Sequence, residues 1–224
     1  MNAIFLSAGM PDPKRGPDFA KTADTVAITA AVSALIHVTL GRRPLVWGGQ
    51  PAITPMIWVV AQRLGVDYGR WVKLYQTRHF EEDFPDDNAR FQNVVYTADI
   101  DHDREKSLME MRRSMFADER YSAAVFIGGM QGIIDEFNLF RHLQPKARML
   151  PVASTGGAVL QLVDAVPGFK SDLANDMDYV ALFHRHLDIS PRENRYNTPE
   201  EQPKNVNDRF FKSPNSKPNT LMSP

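Results

Sequence analysis

Phe126-Ile-Gly-Gly-Met-Gln-Gly-Ile-Ile-Asp-Glu136 decides the fold class of this chain. The apolar run over residues 123–127 reads as a buried strand, Gly128, Gly129 and Gly132 mark a turn, and Asp135 and Glu136 fall in the first turns of the following helix. Glycine lets a backbone approach a ligand closely, and the positive end of the helix behind it favours negative charge. Nucleotide phosphates bind at such turns, beyond the carboxyl ends of parallel strands. Many strand–helix corners also need glycine for geometry alone, so the turn by itself leaves both readings open.

Two further stretches repeat the pattern. Leu45-Val-Trp-Gly-Gly-Gln50 is an apolar strand running into Gly48 and Gly49, with Pro51 suited to a first helical turn and Thr54 offering a hydroxyl nearby. Met149-Leu-Pro-Val-Ala-Ser-Thr-Gly-Gly157 ends a strand in Ser154, Thr155 and Gly156 before another helical pattern. Three strand ends rich in Gly, Ser and Thr predict one shared crevice lined by N–H groups and hydroxyls. The alternative is three ordinary tight connections.

Outward from these turns, strands are expected at residues 3–7, 44–47, 72–76, 93–97, 123–127 and 149–152. Most are short apolar runs without strict alternation, which suits parallel strands covered on both faces. Helical patterns lie between them, at about residues 17–40, 51–64, 103–116, 132–141, 156–165 and 177–187. This alternation predicts a Rossmann-like, doubly wound α/β fold with a mainly parallel sheet of about six or seven strands and helices on both faces. The connection over residues 9–16 carries Lys14 and Arg15, and the one over residues 77–90 is long and acidic.

At 224 residues the chain fits one such domain, assigned to residues 1–189. Residues 190–224 hold six of the sixteen prolines and show no apolar periodicity, so they read as a disordered or loosely draped tail, with Phe210 and Phe211 its one sizeable apolar pair. A net charge of −1 gives no basic field for nucleic acid or an anionic membrane. The absence of cysteine excludes disulfides, thiolate metal sites and cysteine nucleophiles, and agrees with a reducing compartment. No stretch reads as a signal peptide or a membrane span, so the expected location is cytoplasmic. Asp101-His-Asp103 resembles a metal cluster on paper, but adjacent residues seldom converge on one ion, and a helix N-cap is the expectation. No metal and no cofactor is expected.

Order and spacing over roughly residues 3 to 165 resemble the SLOG superfamily, whose type members are the Lonely Guy phosphoribohydrolases. Leu45-Val-Trp-Gly-Gly-Gln50 is similar to that family's early Leu-Val-Tyr-Gly-Gly-Gly turn, and Met109-Glu-Met-Arg-Arg113 to its Met-His-Glu-Arg-Lys segment, with Arg112 at the active arginine. Gly128-Gly-Met-Gln-Gly-Ile-Ile-Asp-Glu136 matches Pro-Gly-Gly-x-Gly-Thr-x-x-Glu at identical spacing, which puts Glu136 on the active glutamate. Gly128 replaces Pro, Met130 replaces Gly, Ile133 replaces Thr and Gln50 replaces the third early Gly. In addition, Ile127-Gly-Gly-Met130 with Gly132 and Asp135-Glu-Phe137, followed by Leu150-Pro-Val-Ala-Ser-Thr-Gly-Gly157, more closely resembles the SLOG sensor domains of prokaryotic defence systems, such as the Thoeris effectors paired with TIR enzymes.

What the resemblance implies is recognition of a nucleotide-derived ligand, an ADP-ribose-like or cyclic nucleotide such as a cyclic ADP-ribose, in signalling or antiphage defence. The implied partners are that small molecule, a TIR or other defence effector protein, and further copies of the chain. The alternative is a nucleotide N-glycosidase in which Glu136 stabilises an oxocarbenium ion and assists water while Arg112 holds the charged substrate. The candidate ligand-binding residues are Ser7, Ala8, Gly9, Arg15, Gly48, Gly49, Gln50, Thr54, Arg112, Gly128, Gly129, Met130, Gly132, Glu136, Ser154, Thr155 and Gly156. Without the resemblance, Arg112 reads equally as one basic residue on a solvated helix face, and Glu136 as a charge placed to suit its helix dipole.

Overall fold

The computed structural model describes residues 2–84 and 86–211. In chain order it comprises β1 (Ala3–Gly9), α1 (Pro17–Thr22), α2 (Thr25–Thr39), β2 (Leu45–Trp47), α3 (Thr54–Leu64), α4 (Tyr68–Trp71), β3 (Val72–Thr77) and β4 (Val94–Thr97). Then follow α5 (Arg104–Asp118), β5 (Tyr121–Gly128), α6 (Gln131–Leu143), β6 (Arg148–Pro151), α7 (Asp172–Asn175) and α8 (Tyr179–His186). The six strands form one all-parallel sheet in the order β4-β3-β2-β1-β5-β6. Successive strands step outward from β1 to β4; the chain then returns to place β5 on the other side of β1. That reversal opens a crevice outside the carboxyl ends of the central strands.

Strand alternation splits the core in two. Ile4, Leu6, Trp47 and Leu74 pack under α2, α3 and α8, whereas Phe5, Val46 and Tyr75 pack under α5 and α6. Phe5 is fully buried, edge-on to Phe116 at 4.8 Å and stacked with Phe140 at 5.4 Å. Such ring pairs contribute about 0.5–1.5 kcal/mol each beyond their area. The outermost strands are four residues long: Tyr96 of β4 lies stacked with Phe84 at 5.7 Å and beneath the Arg78 guanidinium at 5.2 Å, and β6 ends at Pro151. No helix among the described residues is long and apolar enough to cross a membrane.

Three expectations differ from the structure. The helix expected over residues 17–40 is two helices, because Asp24 leaves the helical path and its carboxylate caps the Val26 and Ala27 N–H groups at 2.9 Å. The segment over residues 153–165 forms 3₁₀ turns rather than an α-helix, since Gly156 and Gly157 enter it with φ of +66° and +69°. The loose tail gives way, over residues 190–211, to a strap tied by polar contacts; residues 212–224 lie outside the described residues.

The strap is held where apolar periodicity carries no signal. Glu193 is 1% exposed and bidentate with Arg43 at 2.7 and 3.0 Å, and its carbonyl accepts from Arg42 Nε at 2.8 Å. Trp71 Nε1 donates to the Tyr196 and Asn197 carbonyls at 3.1 and 2.9 Å. Arg195 donates to Leu40 O at 2.7 Å; burial, reinforced by Arg42, lowers its pKa to about 10. Phe210 bridges to Glu193 through its backbone, whereas Phe211 is 60% exposed. Ending the chain at Ile189 therefore strands Arg42, Arg43 and the Trp71 indole. Losing one partner of a buried ion pair costs about 3–5 kcal/mol, so the expected drop in Tm is on the order of 10 °C. An unchanged melting curve for the truncated chain would show that the strap carries no stability.

Candidate functional site

A cavity of about 980 Å³ opens at the carboxyl edge of the sheet. It is bounded by the ends of β1, β2 and β3, by the first turns of α5 and α6, and by Phe80, Asp83 and Phe84 of the acidic connection. Of the residues proposed from sequence, Ser7, Ala8, Gly9, Arg15, Gly48, Gly49, Gln50, Arg112, Gly129, Met130, Gly132 and Glu136 line it together.

The charged end of the cavity is built by α5 and α6. Arg112 is only 8% exposed, so the solvated-face reading does not describe it. Its guanidinium lies 3.5 Å from both the Asp135 and Glu136 carboxylates and donates to Gly132 O at 3.3 Å. Ser7, on β1, donates from Oγ to Glu136 Oε2 at 2.5 Å. Met130 begins α6 in an extended conformation with no side-chain cap, and the Gln131 and Gly132 N–H groups find no acceptor among the described residues. An uncapped helix start beside a guanidinium offers N–H groups and positive charge to an acceptor, a charge that the Asp135 and Glu136 carboxylates offset.

Burial pushes the Glu136 carboxyl above the ordinary glutamate range, while Arg112 and the Ser7 hydrogen bond pull against that shift. A carboxyl whose pKa is raised on folding contributes stability that is complete below its unfolded value and is lost as pH rises through the folded one. Glu136→Gln removes that loss. The variant is expected to gain in melting temperature over the parent at neutral pH, with the difference closing as pH falls toward the ordinary glutamate value. Melting curves across pH check it, and a difference independent of pH would contradict it.

The glycine turn itself is mostly consumed by the fold. Gly128 N donates to Thr155 Oγ1 at 3.0 Å and Gly129 N to Gly9 O at 2.8 Å. Gly129 has φ of +69°, and the space a Cβ would occupy there is filled by the Ile133 side chain. Gly128 does not line the cavity; Ile28 and Gly9 O crowd its missing Cβ instead. At the second turn, a Cβ on Gly48 would meet Met111 Cε at 3.5 Å, an ordinary van der Waals contact. Gly49 has φ of +73° and lies under the Gln76 amide. Thr54 is fully buried and donates to Gln50 O at 3.3 Å, which makes it a helix-start hydroxyl away from the cavity.

The third turn does not join the crevice. Ser154 Oγ meets the Tyr179 hydroxyl at 3.1 Å, Thr155 bonds Val152 O and Gly128 N, and Gly156 abuts the backbone of Thr22. Asp24 N donates to Thr155 O and Ala158 N to Gly129 O, so this turn buttresses the glycine turn from behind. Asp103 caps α5 through the Glu105 and Lys106 N–H groups. Residues not singled out from sequence also line the cavity, among them Trp47, Gln76, Phe80, Phe84 and Arg104. The available signal for Gln76 was a polar amide near the carboxyl end of β3, directly after Leu74 and Tyr75.

A search of the curated proteins finds no match. The family model described as the SLOG cluster3 family matches residues 18–187, a span that contains the turns after β2 and β5, Arg112 and Glu136. With the parallel sheet and crevice now in view, that match over most of the chain shows that it belongs to the SLOG cluster3 family.

Proposed function

We propose that the chain recognises a nucleotide-derived ligand, ADP-ribose-like or a cyclic nucleotide, as a sensor in signalling or antiphage defence. The observation that carries this reading is the uncapped start of α6 with Arg112 laid against it, opening into a cavity of about 980 Å³. A phosphate there would meet free N–H groups, a helix dipole and a guanidinium. Recognition is favoured over turnover because both Glu136 oxygens are tied to protein donors, Oε2 to Ser7 at 2.5 Å and Oε1 to Arg112 at 3.5 Å, which fixes the carboxylate in place as a hydrogen-bond acceptor. Glu136 then accepts from ribose hydroxyls through the lone pairs that these two donors leave. In such a role a TIR or other defence effector would read the bound state, and copies of the chain would assemble around it.

The upward shift of the Glu136 carboxyl by burial favours a second reading, nucleotide N-glycosidase, since raising a carboxyl's pKa moves it toward the range of a general acid that donates to a departing base. Thermal shift and chromatography on one nucleotide panel separate the two. A sensor is stabilised without releasing base, by about 2.7 kcal/mol at a hundred-fold excess over Kd. Base release that disappears in Glu136→Gln establishes the hydrolase, and no stabilisation by any phosphate-bearing compound sinks both.

A further inference from the structure

On the opposite face of the same sheet edge, polar atoms are buried with nothing to bond. Trp47 is 1% exposed, yet its indole Nε1 has no acceptor, and Gln50 Oε1 is likewise buried without a donor. Gln76, 5% exposed, lines the cavity with them; its Oε1 is taken by Asn88 Nδ2 at 2.7 Å, and Asn88 Oδ1 is again unpaired. Each such atom left dry costs about 1–3 kcal/mol, so a cluster of them beside a cavity is a cost that a ligand would remove. Leu6, Trp47 and Leu74 are in register across β1, β2 and β3 and share one core, whereas Ser7 follows on the other face toward Glu136. The cavity thus has a charged pole on one face and a neutral amide–indole pole on the other.

We propose that Trp47, Gln50 and Gln76 form a second subsite that takes the hydrogen-bonding edge of an uncharged nucleobase. An indole N–H and a free amide oxygen complement an acceptor beside a donor, the pattern of the Watson–Crick edge of adenine. No charged side chain belongs to this set, so it selects a neutral planar group and leaves the phosphate to Arg112. That division rests on the anion site proposed above.

Calorimetry with ribose 5-phosphate, AMP and adenosine tests the two poles separately. The parent is expected to bind AMP at least ten-fold more tightly than ribose 5-phosphate. Trp47→Phe and Gln50→Met are expected to erase most of that gain while leaving ribose 5-phosphate binding unchanged. Equal affinity of the parent for AMP and ribose 5-phosphate, or a gain retained in both variants, overturns the subsite. Where Trp47→Phe fails to fold, Gln50→Met, in the turn after β2, decides between these outcomes. Adenosine that binds in a Gln50-dependent way while ribose 5-phosphate does not bind leaves the subsite standing and removes the phosphate reading. Failure of both AMP and adenosine to bind overturns the subsite.

Discussion

Replacing Arg112 with Ala is expected to weaken ribose 5-phosphate binding by roughly ten- to a hundred-fold, the worth of one charge-assisted contact of about 1.5–3 kcal/mol. Arg112 is the guanidinium set against the uncapped start of α6, and its substitution removes the charge without altering the helix N–H groups. Stability responds as well. With Arg112 gone, Glu136 keeps Ser7 as its hydrogen-bond donor and loses the charge that opposes its burial, so its carboxyl moves further up. Adding Glu136→Gln to Arg112→Ala is therefore expected to recover melting temperature and not affinity. Calorimetry showing equal affinity in Arg112→Ala and parent would remove Arg112 from the site.

Gly156→Ala is expected to be the most damaging single-methyl change in the chain. Its φ is +66°, and a Cβ there would run into the carbonyl of Thr22, which is backbone and cannot rotate away. The left-handed conformation and the overlap each cost about 1–3 kcal/mol, a large share of the 5–15 kcal/mol that holds a domain folded. The damage should also reach the cavity. Gly156 lies between Thr155, which holds Gly128 N, and Gly157, beside the Ala158 N–H that holds Gly129 O. The measurement is a chemical denaturation midpoint with a ribose 5-phosphate titration on the same preparation. A midpoint within error of the parent would mean that the junction of α1 and α2 yields to the methyl group at no cost.

All six strands were legible, most of them as short apolar runs, because central strands buried on both faces need no alternation. What escaped was set by single polar residues acting at a distance. Asp24 sits inside an alanine-rich periodic run, and nothing local shows that its carboxylate will start a new helix instead of continuing the old one. The third Gly/Ser/Thr turn carries the composition of an anion loop, yet Thr155 and Ser154 spend their hydroxyls on Gly128 and Tyr179. Small polar residues at a strand end serve a ligand or a tertiary bond equally well, and sequence does not separate the two. The strap over residues 190–211 escaped for a related reason: Glu193 and Arg195 reach partners some 150 positions away, at Arg43 and Leu40. Trp47 and Gln76 read as ordinary strand residues until the unpaired indole and the amide over Gly49 place them at the cavity wall.

The short, covered margins of the sheet govern how the protein behaves at high concentration. A growing fibril recruits chains through exposed strand backbone, and β4 and β6 present only four residues each. Arg78 and Phe84 sit over Tyr96 at one margin, and Pro151 closes the other with a residue that has no N–H to give. With its margins blunted in this way, the sheet is a poor template for aggregation.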